Sequence, residues 1–532
     1  MKVRPVDFRA LMPALRFPIL FLLCAVSAGH AATLVVDTTS DAALSACTAA
    51  ADDCSLRGAI TASNASPDAD AIHFQIPMAD PGFQPATQHW RISVGTVALP
   101  AISEGVLIDG YTQPGAVPNT QTPLQGGLNG TLKIEILPGT GFGTQQNGLD
   151  TLSNNFNAAA STIRGLAINR FFAQVQLGGG AAHKVEGCYL GTDITGTQAA
   201  VSTPNGRGAG VRLQGPGPYQ IGGTAPAQRN LLSGLAAAVV QQSTPDGLRV
   251  RGNLIGTDVT GTLAIGNTNE ALQFNQGLLR NAQIGGSDPL ERNVIAASGF
   301  AAILLFGSGS TPFAGTRIEG NYLGTDVSGT RALGNGLNPG SPSQPQPTIA
   351  ISGIVGCNLE IGGADAGQSN LIAHGGAEGV RNDSCRGVVA ADNQYRANRT
   401  LPFDNVQGGG LGGATPNDPA DPDEGGGNRL QNFPELTIDA QLPNGDVQLS
   451  YRVDTALANA TYPLEVRFFR AGGGGGPVAR VGQASYGTPG SMATITLSAP
   501  ALPVTAVAID AAGNQSEFAP ALGDALLRDG FE

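Results

Sequence analysis

Two short phrases alternate along the middle of the chain, and this repetition constrains the fold more than any other feature. The first phrase, Gly-Asn-Leu-Ile-Gly-Thr-Asp-Val-Thr-Gly-Thr, spans residues 252–262, and close copies span residues 187–197 and 320–330. The second phrase is Ile-Gly-Gly, followed further on by Asn and two apolar residues. Its copies begin at Ile221, Ile284 and Ile361. Such repetition indicates stacked units that bury each other's apolar faces.

The spacing of the first phrase favours a parallel β-helix. Its equivalent glycines, Gly191, Gly256 and Gly324, are 65 and 68 residues apart. One third of this period is about 22 residues, the length of one coil in a β-solenoid. We therefore predict three coils per repeat and about fourteen coils between residues 90 and 400. Short apolar or alternating runs, such as residues 211–213, supply three strands per coil.

The repeated Asn and Asp side chains are interpreted as structural. Equivalent positions of successive coils stack about 4.8 Å apart, so Asn253 and Asn321 can hydrogen-bond the backbone of neighbouring coils. Asp193, Asp258 and Asp326 start turns in which the carboxylate accepts a local backbone N–H. The alternative is a carboxylate row for Ca²⁺ or a cationic sugar. Copies three coils apart would lie about 14 Å from each other, too far to share one ion.

The amino terminus has the pattern of a secretory signal peptide. Positive residues precede an apolar run at residues 17–28, and Gly-His-Ala at residues 29–31 provides a cleavage site. The run is short for a membrane span, and we predict no span in the mature chain. We expect a protein that is secreted, or displayed at the outer cell surface of a Gram-negative bacterium.

The charge of the mature chain argues against two classes of partner. The formal net charge is −12, and it becomes about −15 once residues 1–31, with a net charge of +3, are removed. Lys133 and Lys184 are then the only lysines. We expect neither nucleic acid nor anionic lipid to bind such a protein. The composition, with 76 Gly and 13% charged residues, suits many short strands joined by tight turns.

Export makes disulfide bonds possible for the cysteines of the mature chain. Cys47–Cys54 is the favoured pair because the loop between them is short and local. Cys357 and Cys385 can also pair if successive coils stack these positions. Cys188 occupies the place of the repeated Asn, so we interpret it as a packed core thiol rather than a nucleophile.

Residues 54–64, Cys-Ser-Leu-Arg-Gly-Ala-Ile-Thr-Ala-Ser-Asn, have apolar side chains at helical spacing. This stretch resembles the CSLREA motif that opens a group of secreted bacterial β-helix proteins, except that Gly58 stands where the motif has Glu. The resemblance continues through residues 106–116 and 163–168 and beyond residue 390. It implies a right-handed parallel β-helix with an N-terminal cap helix. The missing Glu removes a capping box and adds a Gly penalty of about 1 kcal/mol, so this helix must form by docking.

The pattern changes beyond residue 398. Residues 417–425 are an acidic, proline-punctuated stretch typical of a linker. Alternating segments, among them residues 447–453 and 464–468, predict an antiparallel β-sandwich of about 90 residues. Residues 507–514 resemble the last strand and turn of bacterial immunoglobulin-like modules, which implies an immunoglobulin-like fold.

The fold class predicted from these patterns is all-β: a right-handed parallel β-helix with an N-terminal cap helix, followed by an immunoglobulin-like β-sandwich. The predicted segments are a signal peptide (1–31), an N-terminal cap with the CSLREA-like motif (32–90), the parallel β-helix (91–405), a Gly/Asp/Pro-rich linker (406–432), the β-sandwich (433–522) and a C-terminal tail (523–532).

One acidic cluster is a candidate metal site. Asp418, Asp421 and Asp423 alternate before a Gly-rich stretch and resemble the carboxylates of calcium loops. No bidentate Glu follows at the spacing such loops require, and a solvated linker is the alternative. The sequence suggests no cofactor other than Ca²⁺.

Outward-facing arginines are a second candidate. Strand positions carry Arg164, Arg212, Arg249, Arg251 and Arg317. They can align to bind an acidic glycan, or they can pair with Glu186 and Glu319, which we favour.

Catalytic signatures of β-helix enzymes are missing from the sequence. Polysaccharide lyases of this architecture need calcium-binding carboxylates beside an Arg or Lys base, and hydrolases need paired Asp residues. The adjacent pair Asp52-Asp53 precedes the cap helix, and the mature chain's histidines show no metal-ligand spacing.

We predict an exported, non-catalytic protein that acts in surface adhesion or glycan binding, with an extracellular polysaccharide or cell-surface glycan as its partner. The enzymatic alternative is a polysaccharide lyase or glycoside hydrolase of the pectin-lyase-like fold. A third possibility is a purely structural surface protein. Function is expected where the repeat is interrupted, as at residues 335–348, rather than in the repeated phrase.

Overall fold

The computed structural model describes residues 1, 31–141, 143, 145–151, 160–200, 207–309, 311–337, 343–353, 356–406, 413–472, 476–499 and 501–523. The predicted signal-peptide segment at residues 2–30 and the predicted tail from residue 524 onward lie outside these ranges. Within them, none of the helices has the length and apolar character that a membrane span requires.

Residues 33–405 consist mainly of short strands joined by turns. In chain order the elements are β1 (Thr33–Val36), α1 (Leu56–Ser63), β2 (Asp70–Phe74), β3 (Phe83–Gln84), β4 (His89–Val94), β5 (Val106–Asp109), β6 (Ile134–Pro138), β7 (Asn147–Asp150), β8 (Thr162–Arg164), β9 (Ala167–Ile168), β10 (Ala173–Leu177), β11 (Lys184–Glu186), β12 (Tyr189–Leu190), β13 (Ala209–Leu213), β14 (Gln220–Gly222), β15 (Leu231–Leu232), β16 (Val239–Gln241), β17 (Arg249–Arg251), β18 (Leu254–Ile255), β19 (Leu272–Gly277), β20 (Gln283–Gly285), β21 (Val294–Ile295), β22 (Ile303–Gly307), β23 (Arg317–Glu319), β24 (Tyr322–Leu323), β25 (Ile349–Ser352), β26 (Leu359–Ile361), β27 (Leu371–Ala373), β28 (Val380–Asn382), β29 (Val388–Val389), β30 (Gln394–Arg396) and β31 (Phe403–Asn405). Single 3-10 turns lie at Gly110–Thr112, Pro226–Gln228, Pro289–Glu291 and Gly427–Leu430.

These strands form three long sheets, which are the faces of the solenoid. Sheet I has the order β1-β2-β5-β8-β11-β14-β17-β20-β23-β26-β29, sheet II has β3-β4-β6-β9-β12-β15-β18-β21-β24-β27-β30, and sheet III has β7-β10-β13-β16-β19-β22-β25-β28-β31. Apart from the antiparallel pair β3–β4, neighbouring strands in these sheets run parallel. From β5 onward the chain visits sheets I, II and III in turn, so it winds as a solenoid. The all-β parallel solenoid predicted from the sequence is confirmed.

Each coil is longer than the sequence period suggested. In the 65 residues between Gly191 and Gly256 the chain passes through each sheet twice, so one repeat contains two coils. Within the described residues, the nine strands of sheet III mark nine complete coils. The predictions of three coils per repeat and of fourteen coils are therefore wrong. They failed because long turns, including the repeated phrase itself, separate strands of only two to six residues.

The Ile of the second phrase belongs to the interior of the solenoid. One register row through sheet I consists of Ile163, Val185, Ile221, Val250, Ile284, Ile318 and Ile361. All are at most 1% exposed, and each such burial contributes about 1.5–3 kcal/mol. Gly222 follows with a φ of +80°, and a Cβ there would meet the Arg251 carbonyl oxygen at 2.0 Å. The phrase therefore combines a core residue with a turn that only Gly fits.

Helix α1 covers the first coil, and its packing explains the Gly in the CSLREA-like stretch. Ser55 is the N-cap, and its hydroxyl accepts a hydrogen bond from the backbone N–H of Gly58. A Cβ on Gly58 would lie 1.7 Å from the carbonyl oxygen of Leu44. Gly is therefore required because the preceding loop crosses the helix at this point.

Restoring the Glu of the motif by Gly58→Glu is expected to destabilise the cap. The new side chain would displace the Leu44 backbone, and we expect a cost of about 2 kcal/mol or more despite the better helix propensity. Thermal unfolding of the Gly58→Glu variant measures this loss of stability. Thr61→Glu, at an exposed position of the same helix, is the control. A Gly58→Glu variant as stable as the parent would contradict the packing argument.

The structure joins Cys47 to Cys54 and Cys357 to Cys385 in disulfide bonds. Cys188 is free and fully buried, and burial raises the pKa of its thiol to about 12. A thiol with so high a pKa is protonated at neutral pH, which makes it a poor nucleophile.

The carboxyl-terminal part consists of two three-stranded antiparallel sheets. Their strands are β32 (Glu435–Gln441), β33 (Val447–Arg452), β34 (Leu464–Ala471), β35 (Pro477–Tyr486), β36 (Ala493–Leu497) and β37 (Val504–Ile509). One sheet has the order β32-β33-β36 and the other β35-β34-β37. Side chains of both sheets, including Leu449 and Phe468, form one buried core. The predicted segments at residues 447–453 and 464–468 correspond to β33 and β34, whereas β32 and β35 were not predicted.

This two-sheet unit is docked on the last coil of the β-helix. Gln515 accepts a hydrogen bond from the side chain of Asn405 through its backbone oxygen and from the backbone of Ala390 through its side chain. Phe518 packs between Tyr395 and Phe469, with ring centroids 6.0 and 5.7 Å away. The segment after β37 thus covers the open end of the solenoid.

Candidate functional site

The repeated asparagines form a ladder inside the solenoid. Asn230, Asn253, Asn293, Asn321, Asn370 and Asn393 follow one another on successive coils, and each side-chain amide donates to the side-chain oxygen of the next at 2.9–3.0 Å. Each amide also donates to a backbone carbonyl of the preceding coil, as Asn293 does to Val250 at 2.7 Å. Both phrases contribute to this single ladder, which gives the repeated Asn a structural role.

The repeated Asp residues organise turns. Asp258 accepts hydrogen bonds through Oδ1 from the backbone N–H groups of Thr262 and Leu263 at 3.1 and 3.0 Å, and the Thr260 hydroxyl donates to both of its oxygens. Asp193 and Asp326 make the equivalent bonds. Local bonds engage both carboxylate oxygens of Asp193 and Asp258 and Oδ1 of Asp326, as the turn interpretation requires.

The turns also stack on one another and form a lid over the outer face of sheet II. The backbone N–H of Val259 donates to the oxygen of Gly196, and that of Val327 donates to Gly261, each at 2.9 Å. Alternate coils carry these turns, and they contact each other directly across the intervening coil. The predicted separation of three coils is therefore wrong.

The lid creates a second apolar core outside the solenoid. The residues between Asp and Thr in the phrase, Ile194, Val259 and Val327, pack against outward side chains of sheet II. The register row beneath the lid consists of Ala167, Tyr189, Leu231, Leu254, Val294, Tyr322, Leu371 and Gln394. The first five and Leu371 are buried, whereas Tyr322 is half-buried and Gln394 is exposed. The covering ends because the phrase has no fourth copy.

Two adjoining clefts open where the lid stops, and together we call them the end groove. One, of about 350 Å³, is lined by Arg292, Tyr322, Ser328, Gly329, Thr330, Gly367, Ser369, Leu371, Gln394 and Arg396. The other, of about 410 Å³, is lined by residues 363–367, Ser369, residues 392–394, Phe469 and residues 478–480. They share Gly367, Ser369 and Gln394, so a ligand can extend from one into the other.

Two arginines flank the tyrosine of the groove. The guanidinium carbon of Arg292 lies 4.1 Å from the Tyr322 ring centroid, and its Nε donates to the Gly320 oxygen. Arg396 donates to the Gly329 oxygen on the last turn of the lid. Neither forms an ion pair with a carboxylate of the described residues within 4.0 Å. The stacking and backbone contacts hold both guanidiniums in place and leave further N–H groups for a ligand.

The docked two-sheet unit supplies the far wall of the groove. Arg467 donates to Oδ2 of Asp392 at 2.7 Å, and Arg480 Nε lies 3.5 Å from Oδ1 of the same carboxylate. The Asp392 side chain is only 7% exposed. Because guanidinium groups hold both of its oxygens, Asp392 is a poor candidate for proton transfer.

The three candidate calcium carboxylates differ in burial and in their hydrogen bonds. Asp421 is buried, and its Oδ2 accepts from Gln431, from the Asn432 backbone and from Thr455. Burial raises its pKa to about 6. Asp418 and Asp423 are partly exposed. Among the described residues, no group of three or more His, Cys, Asp or Glu side chains is placed to hold a metal ion.

The acidic stretch is nevertheless not the solvated linker proposed as the alternative. Asp421 is 3% exposed and Asn428 is fully buried. Asn428 donates to the backbone oxygens of Val388 and Gln515, one on each side of the joint. Part of residues 413–432, including Asn428, therefore belongs to the packed joint between the solenoid and the two-sheet unit.

The candidate arginines of the outer strands are occupied by neighbouring groups. Arg164 pairs with Asp109, Arg251 with Glu291 and Arg317 with Glu360, while Arg212 stacks on Phe172 and Arg249 donates to the Asn281 oxygen. Direct ion pairs are thus observed with carboxylates other than the predicted Glu186 and Glu319, which influence Arg164 and Arg317 electrostatically. Residue spacing gave no register between coils, and the register decides which charges meet.

Sequence reasoning missed Arg292, Tyr322, Gln394, Arg396 and Arg480, the polar and aromatic side chains of the groove. The end of the triplicated phrase near residue 330 was the available signal, since the outer face of sheet II must be uncovered beyond it. The insertion at residues 335–348 includes residues 338–342, which are outside the described ranges. Its described residue Leu337 lines a separate cleft of about 350 Å³ with Arg207.

Comparisons with known proteins add no family. No protein-family model matches the chain, and no curated protein is significantly similar to it.

Proposed function

We propose that this is an exported, non-catalytic β-helix protein that binds a glycan chain in the end groove and thereby serves surface adhesion or glycan retention. The observation that carries this proposal is the open, two-part groove at the end of the lid, lined by Tyr322, Gln394 and immobilised arginines. Planar polar side chains beside an aromatic ring suit the hydroxyl groups and apolar faces of sugars.

Binding is favoured over hydrolysis or elimination by the state of the carboxylates. Asp392 is held by two arginines, and the other carboxylate that lines the groove, Asp365, is exposed. A glycosidase needs two carboxyl groups poised across one bond, one of them able to give up a proton.

The proposal also includes right-handed winding, which parallel crossovers favour, and an immunoglobulin-like topology for the two-sheet unit. Two disulfides support export.

Filling the groove tests this function. Ser369 lines both clefts, so Ser369→Trp is expected to weaken retention on immobilised polysaccharide at least tenfold. Thr437→Trp, on an exposed position of β32, is the control and should bind normally. The mature chain is screened against neutral and acidic polysaccharides, with reducing ends and unsaturated products measured in parallel.

We expect binding without product release. Normal binding by Ser369→Trp would contradict the groove as the site, and failure of every polysaccharide to bind would contradict the proposed function. Turnover of any of them would establish an enzyme instead.

A further inference from the structure

Resting on the proposed function, we propose that the end groove selects polysaccharides that carry carboxylate or sulfate groups, with Arg292 and Arg396 as the residues that bind the anion. The two arginines belong to different coils, since Arg292 lies in the turn before β21 and Arg396 lies at the end of β30. Both line the same cleft as Tyr322.

The charge balance of the cleft supports an anionic ligand. The cleft beneath the last turn of the lid is lined by two arginines and by no Asp or Glu of the described residues. This is unusual in a chain with 29 Lys and Arg against 41 Asp and Glu. Cationic groups held without a carboxylate partner favour a ligand that supplies the missing negative charge.

The arginines are also held ready for planar anions. Stacking on Tyr322 restrains the Arg292 side chain, and the hydrogen bond to Gly329 restrains Arg396. A guanidinium that is already ordered loses less entropy when it binds a carboxylate or sulfate through two N–H groups. Arg480 lines the adjoining cleft together with Asp365 and Asp392, so the uncompensated positive charge lies in the cleft of Arg292 and Arg396.

The polymer is a polysaccharide rather than a nucleic acid because, among the described residues, the groove is lined by only three cations, Arg292, Arg396 and Arg480. Nucleic-acid binding requires many phosphate contacts along an extended basic surface. Here the formal net charge is −12, which would repel a long polyphosphate beyond the groove. A glycan with one charge per sugar or fewer needs only a local pair of cations.

The experiment compares polymers that differ in charge but not in backbone. The mature full-length chain is titrated with alginate and with propylene-glycol-esterified alginate, and with dextran sulfate and unmodified dextran. Arg292→Gln and Arg396→Gln each remove one charge, and Arg331→Gln, on an exposed position of the last lid turn outside the groove lining, is the matched control.

We expect the charged polymer of at least one pair to bind at least tenfold more tightly than its neutral counterpart. Each groove variant should lose about tenfold, with a shallower dependence of affinity on salt, while Arg331→Gln stays normal. The pair that responds distinguishes carboxylate from sulfate. Equal binding of charged and neutral forms, or normal binding by both groove variants, would overturn the anion selectivity and leave glycan binding intact. If neither the four polymers nor the wider polysaccharide panel bind, the proposed function itself is contradicted.

Discussion

Replacing Asn293 by Ala is expected to cost the solenoid about 3–5 kcal/mol. The Asn293 side chain accepts from Asn253 and donates to Asn321 and to the Val250 carbonyl, all fully buried. Its removal leaves several buried polar groups without partners, and each costs about 1–3 kcal/mol. Urea unfolding of the parent and the variant gives the difference.

The matched control is Asn444→Ala, which removes an asparagine from an exposed turn where it bonds Asp446. It should cost less than about 1 kcal/mol. If Asn293→Ala is no more destabilising than Asn444→Ala, the ladder does not hold the coils together. Because neighbouring coils share the ladder, the loss should spread to strands on both sides of β21.

Raising the pH from about 5 to 8 is expected to destabilise the joint between the solenoid and the two-sheet unit. Burial, and then Asp404, raises the pKa of Glu517 from 4.5 to about 8, and burial raises that of Asp404 from 3.8 to about 6. The folded protein therefore retains protons that the unfolded chain has already released. Stability is greatest below the unfolded pKa values and falls as the pH rises toward 8, on the order of 3 kcal/mol in total.

Residues of the joint surround Glu517 and Asp404. Glu517 accepts hydrogen bonds from the backbone of Asn405 and of Thr415, and Asp404 also faces Glu378 and Arg381. Substituting Asp404→Asn removes one charge and lets Glu517 ionise at lower pH, so the fall in stability should shrink. Asp439→Asn, on exposed β32, should leave the pH profile unchanged. A wild-type unfolding free energy that is flat, or that rises, between pH 5 and 8 would contradict the raised pKa values of Glu517 and Asp404.

The sequence was a good guide to the solenoid because its signals are local and repeated. The repeated Ile221, Ile284 and Ile361 indicated core positions, and the repeated Asn253 and Asn321 indicated stacked turns. The number of coils was missed because the same period fits two long coils or three short ones, and only strand pairing distinguishes them. Gly58 was interpreted as a weakness of the cap helix, whereas the crossing of Leu44 makes it necessary.

The groove and the joint depend on contacts between distant residues that no local pattern encodes. Asp404 and Glu517 are 113 residues apart in the sequence, and Asp392 meets Arg467 only after the two-sheet unit docks. An acidic, proline-rich composition suggested a free linker at residues 417–425. Backbone and side-chain hydrogen bonds of Asn428 and Asp421 instead fix part of that stretch in the joint.

Hydrogen exchange of the mature chain with and without a bound polysaccharide tests most directly whether the end groove is the functional site. Protection is expected in residues 363–371, 392–396 and 478–480, which line the two clefts. The lid turns at residues 193–198 and 258–263 should exchange at unchanged rates. Protection confined to the outer face of sheet I, around Arg249 and Arg251, with none in the groove, would contradict the assignment.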